Sequence, residues 1–430
     1  MKKTTNTKKK FTKKKMFTMF TALLLVAAQL MTLSGCSSKV QAKNLMEDVE
    51  PQKVEVVQDM TEDNVKVSEF AVRLMQESLE ADKNTLISPL SVLYALSMTA
   101  NGAKEETLAQ MEAVLGMSVE ELNQYLYSYM QNLMQSEKQA LNLANSIWFT
   151  SEEHFTVNQD FLQKNADYYG ADVYQAAFDG TTLEDINNWV KEKTKEMIPE
   201  ILNEIDVDAV MYLVNALAFE AEWQDVYGER KVKEGEFTQE DGTKQNVDFM
   251  YSEENVYLED EMATGFLKYY SGRDYAFVGL LPKEGISVQE YVESLSGEHI
   301  VELLENAQYT TVYTSLPKFE TEYDVEMKNI LKAMGMPDAF DAGKADFSDL
   351  GTSTAGNIYI SRVIHKTYIS VAEKGTKAGA ATVVEMVAES ASETIEEPEK
   401  VYLDRPFVYM LIDCENNIPF FIGTMMDVEG

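Results

Sequence analysis

This chain of 430 residues is poor in the groups that most enzymes and covalent staples use. It has two cysteines, Cys36 and Cys414, so one disulfide is the most it could form. His154, His299 and His365 are its three histidines. None sits in a His-Glu-x-x-His pattern, which excludes that class of zinc hydrolase. Gly-x-Ser-x-Gly, the phosphate-loop pattern and Cys-x-x-Cys are absent too. Acid pairs abound, as they must with 72 Asp and Glu, but none is marked out by its surroundings. No catalytic group, metal or cofactor is expected. Basic residues are scarce: 37 Lys and Arg, for a net charge of −35. So acidic a chain argues against nucleic-acid and heparin-like partners.

The basic residues it does have cluster at the start. Lys2, Lys3, Lys8, Lys9, Lys10, Lys13, Lys14 and Lys15 precede an apolar run from Phe17 to Leu33. Leu33-Ser34-Gly35-Cys36 follows and resembles a bacterial lipobox. Residues 1–35 are therefore expected to be a lipoprotein signal peptide, with Cys36 lipidated after cleavage. An uncleaved anchor with a chance cysteine is the alternative. Either places the protein on the outer side of a bacterial membrane, or released from it. Without those eight lysines, 29 basic residues remain against 72 acids, a net charge of −43. That favours solubility and cationic partners. Lipidation of Cys36 would leave Cys414 unpaired, in the turn Cys414-Glu415-Asn416-Asn417.

Hydrophobic residues make up 45% and charged ones 25%, values typical of a globular protein. Residues 36–63 are polar, acidic and unpatterned, and read as a tether. After them, Phe70, Leu74, Glu77 and Leu79 mark an amphipathic helix. Ser88-Pro89 opens a second helix running to Met98, and Leu183 to Met197 forms another. Leu141 to Phe149 and the apolar run Val210 to Phe219 read as strands. So do Ala276 to Leu281, Tyr309 to Leu316 and Ile358 to Val371. Arg405 to Asp413 and Ile418 to Met426 form a hairpin around Asn416-Asn417. With no repeat and no internal boundary, residues 64–430 read as one α+β domain.

One segment behaves unlike the rest. From Glu373 to Thr382 the chain is small and flexible: Glu-Lys-Gly-Thr-Lys-Ala-Gly-Ala-Ala-Thr. Beyond Gly375 it alternates with period two. Thr376, Ala378, Ala380 and Thr382 share one uncharged side, as in a strand buried on one face. Yet Gly and Ala are poor strand formers. A segment that can be loop or strand suggests a switch.

Here the chain resembles the serpins, from about residue 64 to 428. The resemblance rests on this hinge, on Asn84-Thr85-Leu86-Ile87-Ser88-Pro89-Leu90-Ser91 and on Leu213-Val214-Asn215-Ala216. It continues with Leu316-Pro317-Lys318-Phe319, Arg405-Pro406-Phe407 and Phe420-Phe421-Ile422-Gly423. It implies a serpin fold, with helices on a large mixed central sheet, further sheets and an exposed reactive loop at about 374–400. It also implies suicide inhibition: a target serine protease, or secondarily a cysteine protease, cuts the loop, which then inserts into the sheet. The hinge would be Glu373, Gly375, Thr376, Ala378, Gly379, Ala380 and Ala381. Ser88, Ser91, Asn215 and His365 match a polar cluster beneath the parting strands, and Trp223 the site of first insertion. Glu220 and Glu222 stand where the family has basic residues, and Lys377 where many inhibitors have Glu.

Counting forward from Glu373 by the family's spacing places the cut at Glu389–Ser390. Counting back from Arg405-Pro406 places it near Ile395. The forward count is preferred, because distance from the hinge sets how far the protease is dragged. Glu389 suits a glutamate-preferring protease; Val387 or Ala388, one or two residues away, suits an elastase-like one. The absence of Lys and Arg between Lys377 and Lys400 argues against a trypsin-like target. A monomer is expected. The rival is a non-inhibitory member serving as a binding or carrier module, against which the hinge composition speaks.

Overall fold

A computed structural model describes residues 40–134, 141–150, 155–354, 356–376 and 398–429. Strands and helices are numbered along the chain. The central sheet has eight strands: β1 (Lys43–Asn44), β3 (Leu141–Thr150), β5 (Asp172–Ala176), β6 (Met211–Phe219), β7 (Ala221–Glu222), β14 (Phe319–Glu326), β16 (Arg362–Ala372) and β17 (Gly375–Thr376). They run in the order β1-β5-β3-β6-β16-β17-β7, with β14 on the other edge of β16. A six-stranded sheet holds β2 (Thr85–Ile87), β10 (Tyr257–Glu259), β11 (Ala263–Tyr269), β12 (Tyr275–Pro282), β19 (Phe407–Asp413) and β20 (Ile418–Met425). A four-stranded sheet holds β8 (Val232–Thr238), β9 (Lys244–Glu254), β13 (Val312–Pro317) and β18 (Glu399–Tyr402). β4 (Phe155–Val157) and β15 (Gly351–Ser353) form a small pair.

The helices are α1 (Thr61–Ser78), α2 (Pro89–Ala100), α3 (Glu105–Leu115), α4 (Val119–Met134), α5 (Gln159–Tyr169), α6 (Gly180–Lys193), α7 (Val288–Ser294), α8 (Gly297–Glu305) and α9 (Lys328–Met334). Apolar spacing explains α1, which buries Val67, Phe70, Ala71, Leu74 and Met75. α2 starts where Ser88 caps the Ser91 amide and Pro89 takes the first turn. Every residue of α2 is buried, as fits a helix apolar all round.

β6 lies where the central sheet is covered on both faces. All nine of its residues are buried. Met211, Leu213, Leu217 and Phe219 join the main core, which includes α2. Tyr212, Val214 and Ala216 join a second cluster with Ile186, Trp189 and Val190 of α6. A strand sandwiched this way reads as a continuous apolar run.

The expected helices and strands form, with several shifted ends and one larger difference. α6 runs from Gly180 to Lys193, because Asp179 caps its start and Lys195 and Glu196 take positive φ after its end. Met197 lies beyond the helix but is still buried. β16 begins at Arg362, not Ile358, β13 at Val312, not Tyr309, and β19 at Phe407, not Arg405. Residues 40–60, expected to belong to an acidic tether, lie along the body. Asp185 of α6 accepts the amides of Gln41 (2.9 Å) and Ala42 (2.7 Å). Leu45 N donates to Val173 O, and β1 pairs with β5. Glu50, Gln52, Glu55 and Val57 bond with α4 and α5. Leu45, Met46 and Val49 also pack against the main core and Met60 is buried in it, but these residues follow no helix or strand period and the polar bonds are long-range.

Asp185 is only 3% exposed. Asp185→Ala should strand the two amides and cost about 1–3 kcal/mol. Thermal melting should fall, and hydrogen exchange at residues 41–45 should rise first. Unchanged exchange there would show that the segment is held by other contacts.

Candidate functional site: the hinge and the seam of the central sheet

β16 carries two different partners on one edge. From Arg362 to Thr367 it pairs in parallel with β6, from Tyr212 to Leu217. Higher up, the chain turns at Glu373-Lys374 and comes back as β17. Gly375 and Thr376 pair with Ala372 and Val371 on one side, and with Glu222 and Ala221 of β7 on the other. The first hinge residues are thus already a strand at the top of the sheet, wedged between two neighbours.

The wedge is tight. A Cβ on Gly375 would meet Ala221 O at 2.0 Å, and its φ is +154°. Only glycine fits there. Thr376 is 1% exposed, and its Oγ1 lies 2.6 Å from the Tyr270 hydroxyl. Burial pushes the Tyr270 phenol well up, so it stays protonated. Tyr270 stacks on Trp223, with ring centres 4.3 Å apart.

Trp223 belongs to a clamp on the hinge backbone. Its amide donates to Lys374 O (2.8 Å), and its indole Nε1 donates to Ala372 O (2.8 Å). The Tyr227 amide donates to Glu373 O (2.9 Å). Glu373 is tied from the opposite side by Lys318, at 2.9 Å. Burial alone would raise the Glu373 carboxyl, but Lys318 outweighs it and the net shift is downward. Lys318 is raised in turn, chiefly by its hydrogen bond to Glu373.

Ser88, Ser91, Asn215 and His365 do come together. His365 and Asn215 face each other across the β6–β16 seam. The His365 Nδ1 proton goes to Asn215 Oδ1, and Nε2 accepts the Ser88 amide at 3.1 Å. Asn215 Oδ1 also accepts the Ser91 hydroxyl at 3.2 Å. The start of α2 therefore bonds to both sides of the seam. Asn215 Nδ2 is buried without a partner. Burial lowers His365 to about 3, which keeps it neutral.

Several candidate residues lie outside the described ones: Cys36, Ala378, Gly379, Ala380, Ala381, Val387, Ala388, Glu389 and Ser390. At the two ends of the expected loop, Gly375–Thr376 and Glu399–Tyr402 are strands. The sequence does not single out Tyr227, Tyr270 and Lys318 as hinge contacts, nor Lys268, which lies behind them against Tyr227 and Trp223. Lys318 was visible within Leu316-Pro317-Lys318-Phe319, but nothing local says that it faces Glu373. Cys414 is free, and burial pushes its thiol up to about 12, which suits a structural turn residue.

Comparison with known proteins is consistent with this geometry. The model of the family "Serpin (serine protease inhibitor)" matches residues 65–428. The crystal structure of a thermophilic serpin, tengpin, in its native state is 49% identical. That match covers 90% of this chain and all of tengpin, with a TM-score of 0.86. Tengpin in the latent state superposes less well, with a TM-score of 0.77 at 47% identity, over 87% of this chain and all of that one. The leukocyte elastase inhibitor of Xenopus laevis is 31% identical, over 79% of this chain and 92% of its own length. The family match, the wedged hinge and the polar cluster across the seam together make this chain a member of the serpin family.

Proposed function

We propose that the chain is a suicide inhibitor of a serine protease, elastase-like or glutamate-preferring, and is not itself an enzyme. One observation carries the reading. Gly375 and Thr376 already form a small-residue strand poised over a seam whose two strands pair directly with each other. The similarity to an inhibitor of leukocyte elastase supports the elastase-like arm. A cysteine protease could be held as a thioester in the same way. The basic run, the apolar run and Leu33-Ser34-Gly35-Cys36 support a lipoprotein held through Cys36 on a bacterial cell surface.

The mechanism uses the protease's own chemistry. Its serine Oγ attacks the carbonyl before the cut, and its histidine passes the hydroxyl proton to the leaving amine. The peptide bond breaks and an ester to the loop forms. The freed loop then extends β17 downward between β6 and β16. Each new backbone bond contributes about 0.5–1.5 kcal/mol net. Dragging the ester about 1 Å out of register would slow its hydrolysis on the order of 10²-fold.

Two measurements test this. The chain without its first 35 residues should form a boiling-stable band of summed mass with elastase or a glutamyl endopeptidase, but not with trypsin. Sequencing the released peptide should place the cut at Val387, Ala388 or Glu389. Clean cleavage with no such band for any protease would leave a serpin fold used for binding.

Thr376→Arg puts a charge into a site 1% exposed. It should turn the inhibitor into a substrate, with covalent complex reduced at least roughly tenfold and cleavage retained. Thr376→Val loses the Tyr270 bond but stays small, and should keep most activity.

His365 gives a pH dependence. Its folded value, about 3, lies below its ordinary 6.5. Below pH 6.5 the unfolded state therefore binds more protons than the folded state. Stability is full above that pH and is lost as pH falls toward 3. From pH 6.5 to 5, unfolding free energy should decline with a slope approaching about 1.4 kcal/mol per unit. His365→Gln should flatten that slope; an equal slope in the variant would place the effect elsewhere.

A further inference from the structure

Lys268 is an unexplained cation. It lies on β11, its side chain 1% exposed, in a chain whose surface is overwhelmingly acidic. Its Nζ sits 2.8 Å from Glu254 Oε1 and donates to Asp225 O at 3.2 Å. It lies over the Tyr227 ring at 4.4 Å and is 5.5 Å from the centre of the Trp223 ring. Glu254 also accepts the Ser252 hydroxyl at 2.6 Å, and Ser252 Oγ lies 2.8 Å from Thr314 Oγ1. Thr314 is on β13, beside Val401 of β18.

Every group around the ammonium thus belongs to the hinge clamp or leads away from it. Trp223 and Tyr227 present the amides that hold Lys374 O and Glu373 O. Between them, Asp225 is hooked by Lys268. Burying an ammonium is costly, and an apolar side chain of similar length would fill the same space without that cost. What a methionine could not do is fix the backbone at Asp225 and two aromatic rings at once.

We propose that Lys268 is a positioning residue for loop insertion. It keeps segment 221–227 rigid, as the template on which the hinge extends while β6 and β16 part. The role rests on the inhibitor reading above. When insertion is slow, the ester is hydrolysed before the protease is trapped. Lys268 therefore sets the balance between trapping and turnover without touching the cut bond.

The test uses the full chain. Its loop is cut by elastase, and insertion is followed by tryptophan fluorescence and by the rise in melting temperature after cleavage. Lys268→Met should be cut at the wild-type rate but insert roughly tenfold more slowly, as loss of a buried charge-assisted bond implies. More protease should escape per inhibitor consumed, and Lys268→Arg should recover part of the loss. A purely structural lysine would lower the melting temperature and leave the ratio of trapped to released protease unchanged. That result, or insertion at the wild-type rate, overturns the proposal. If Lys268→Met does not fold, Glu254→Gln keeps the shape, loosens the ammonium and should slow insertion in the same direction. Insertion in the wild type with no slowing in either variant would refute Lys268 alone. Cleavage of the wild type with no fluorescence change and no rise in melting temperature would refute the inhibitor reading and this role with it.

Discussion

Two residues, Gly375 and Thr376, form the contact on which the rest of this structure depends. They are strand on both edges at once, bonded to β16 and to β7. That position demands a backbone without a Cβ at 375 and a short side chain at 376. It also fixes the direction of any later movement. A strand end seated between two neighbours can add residues below itself, pairing on both sides as it goes. It cannot do so until β6 and β16 give up their own bonds. On the inhibitor reading proposed above, the hinge is a nucleus already formed, and insertion would be propagation against one existing seam.

The nature of that seam decides how hard it is to open. An interior of interlocked apolar side chains resists parting because every contact is lost together. Within the apolar core beneath β6 and β16 the structure also places hydrogen bonds: His365 to Asn215, and both to the start of α2 through Ser88 and Ser91. Such a cluster is costly when broken but can be satisfied again by a new neighbour, because its donors and acceptors are not tied to one shape. Asn215 Nδ2 already lacks a partner.

Much of this was legible in the residues, and the remainder was hidden for definite reasons. The run Val210 to Phe219 announces a strand buried on both faces, and Ser88-Pro89 a helix start. The period-two pattern beyond Gly375 announces a segment able to become strand. The polar cluster of Ser88, Ser91, Asn215 and His365 follows from the family resemblance, not from any local pattern. Residues 40–60 were not legible, because their bonds reach side chains such as Asp185 that are 144 positions away. The end of α6 was not either, since Lys195 and Glu196 adopt positive φ without being glycine. Nor does any spacing reveal that Tyr270 and Tyr227 meet at the hinge with Lys268 packed behind them. Stacking and cation–ring contacts between distant strands leave no local period.

Charge divides the hinge's surroundings into a side that holds and a side that can let go. Lys318 and Glu373 form an ion pair about one-third exposed at both ends. Water screens such a pair, and its contribution is small. Lys268 and Glu254 are 1% and 12% exposed, and their attraction is screened far less. The weak pair steadies the turn at Glu373 from its exposed side, and the strong pair lies behind the clamp of Trp223 and Tyr227 that holds the same turn by its backbone. On the inhibitor reading proposed above, the loop would extend beyond Thr376, and the template it extends on is the one backed by the strong pair. In a chain so short of basic residues, where its lysines are buried matters more to the mechanism than how many it has.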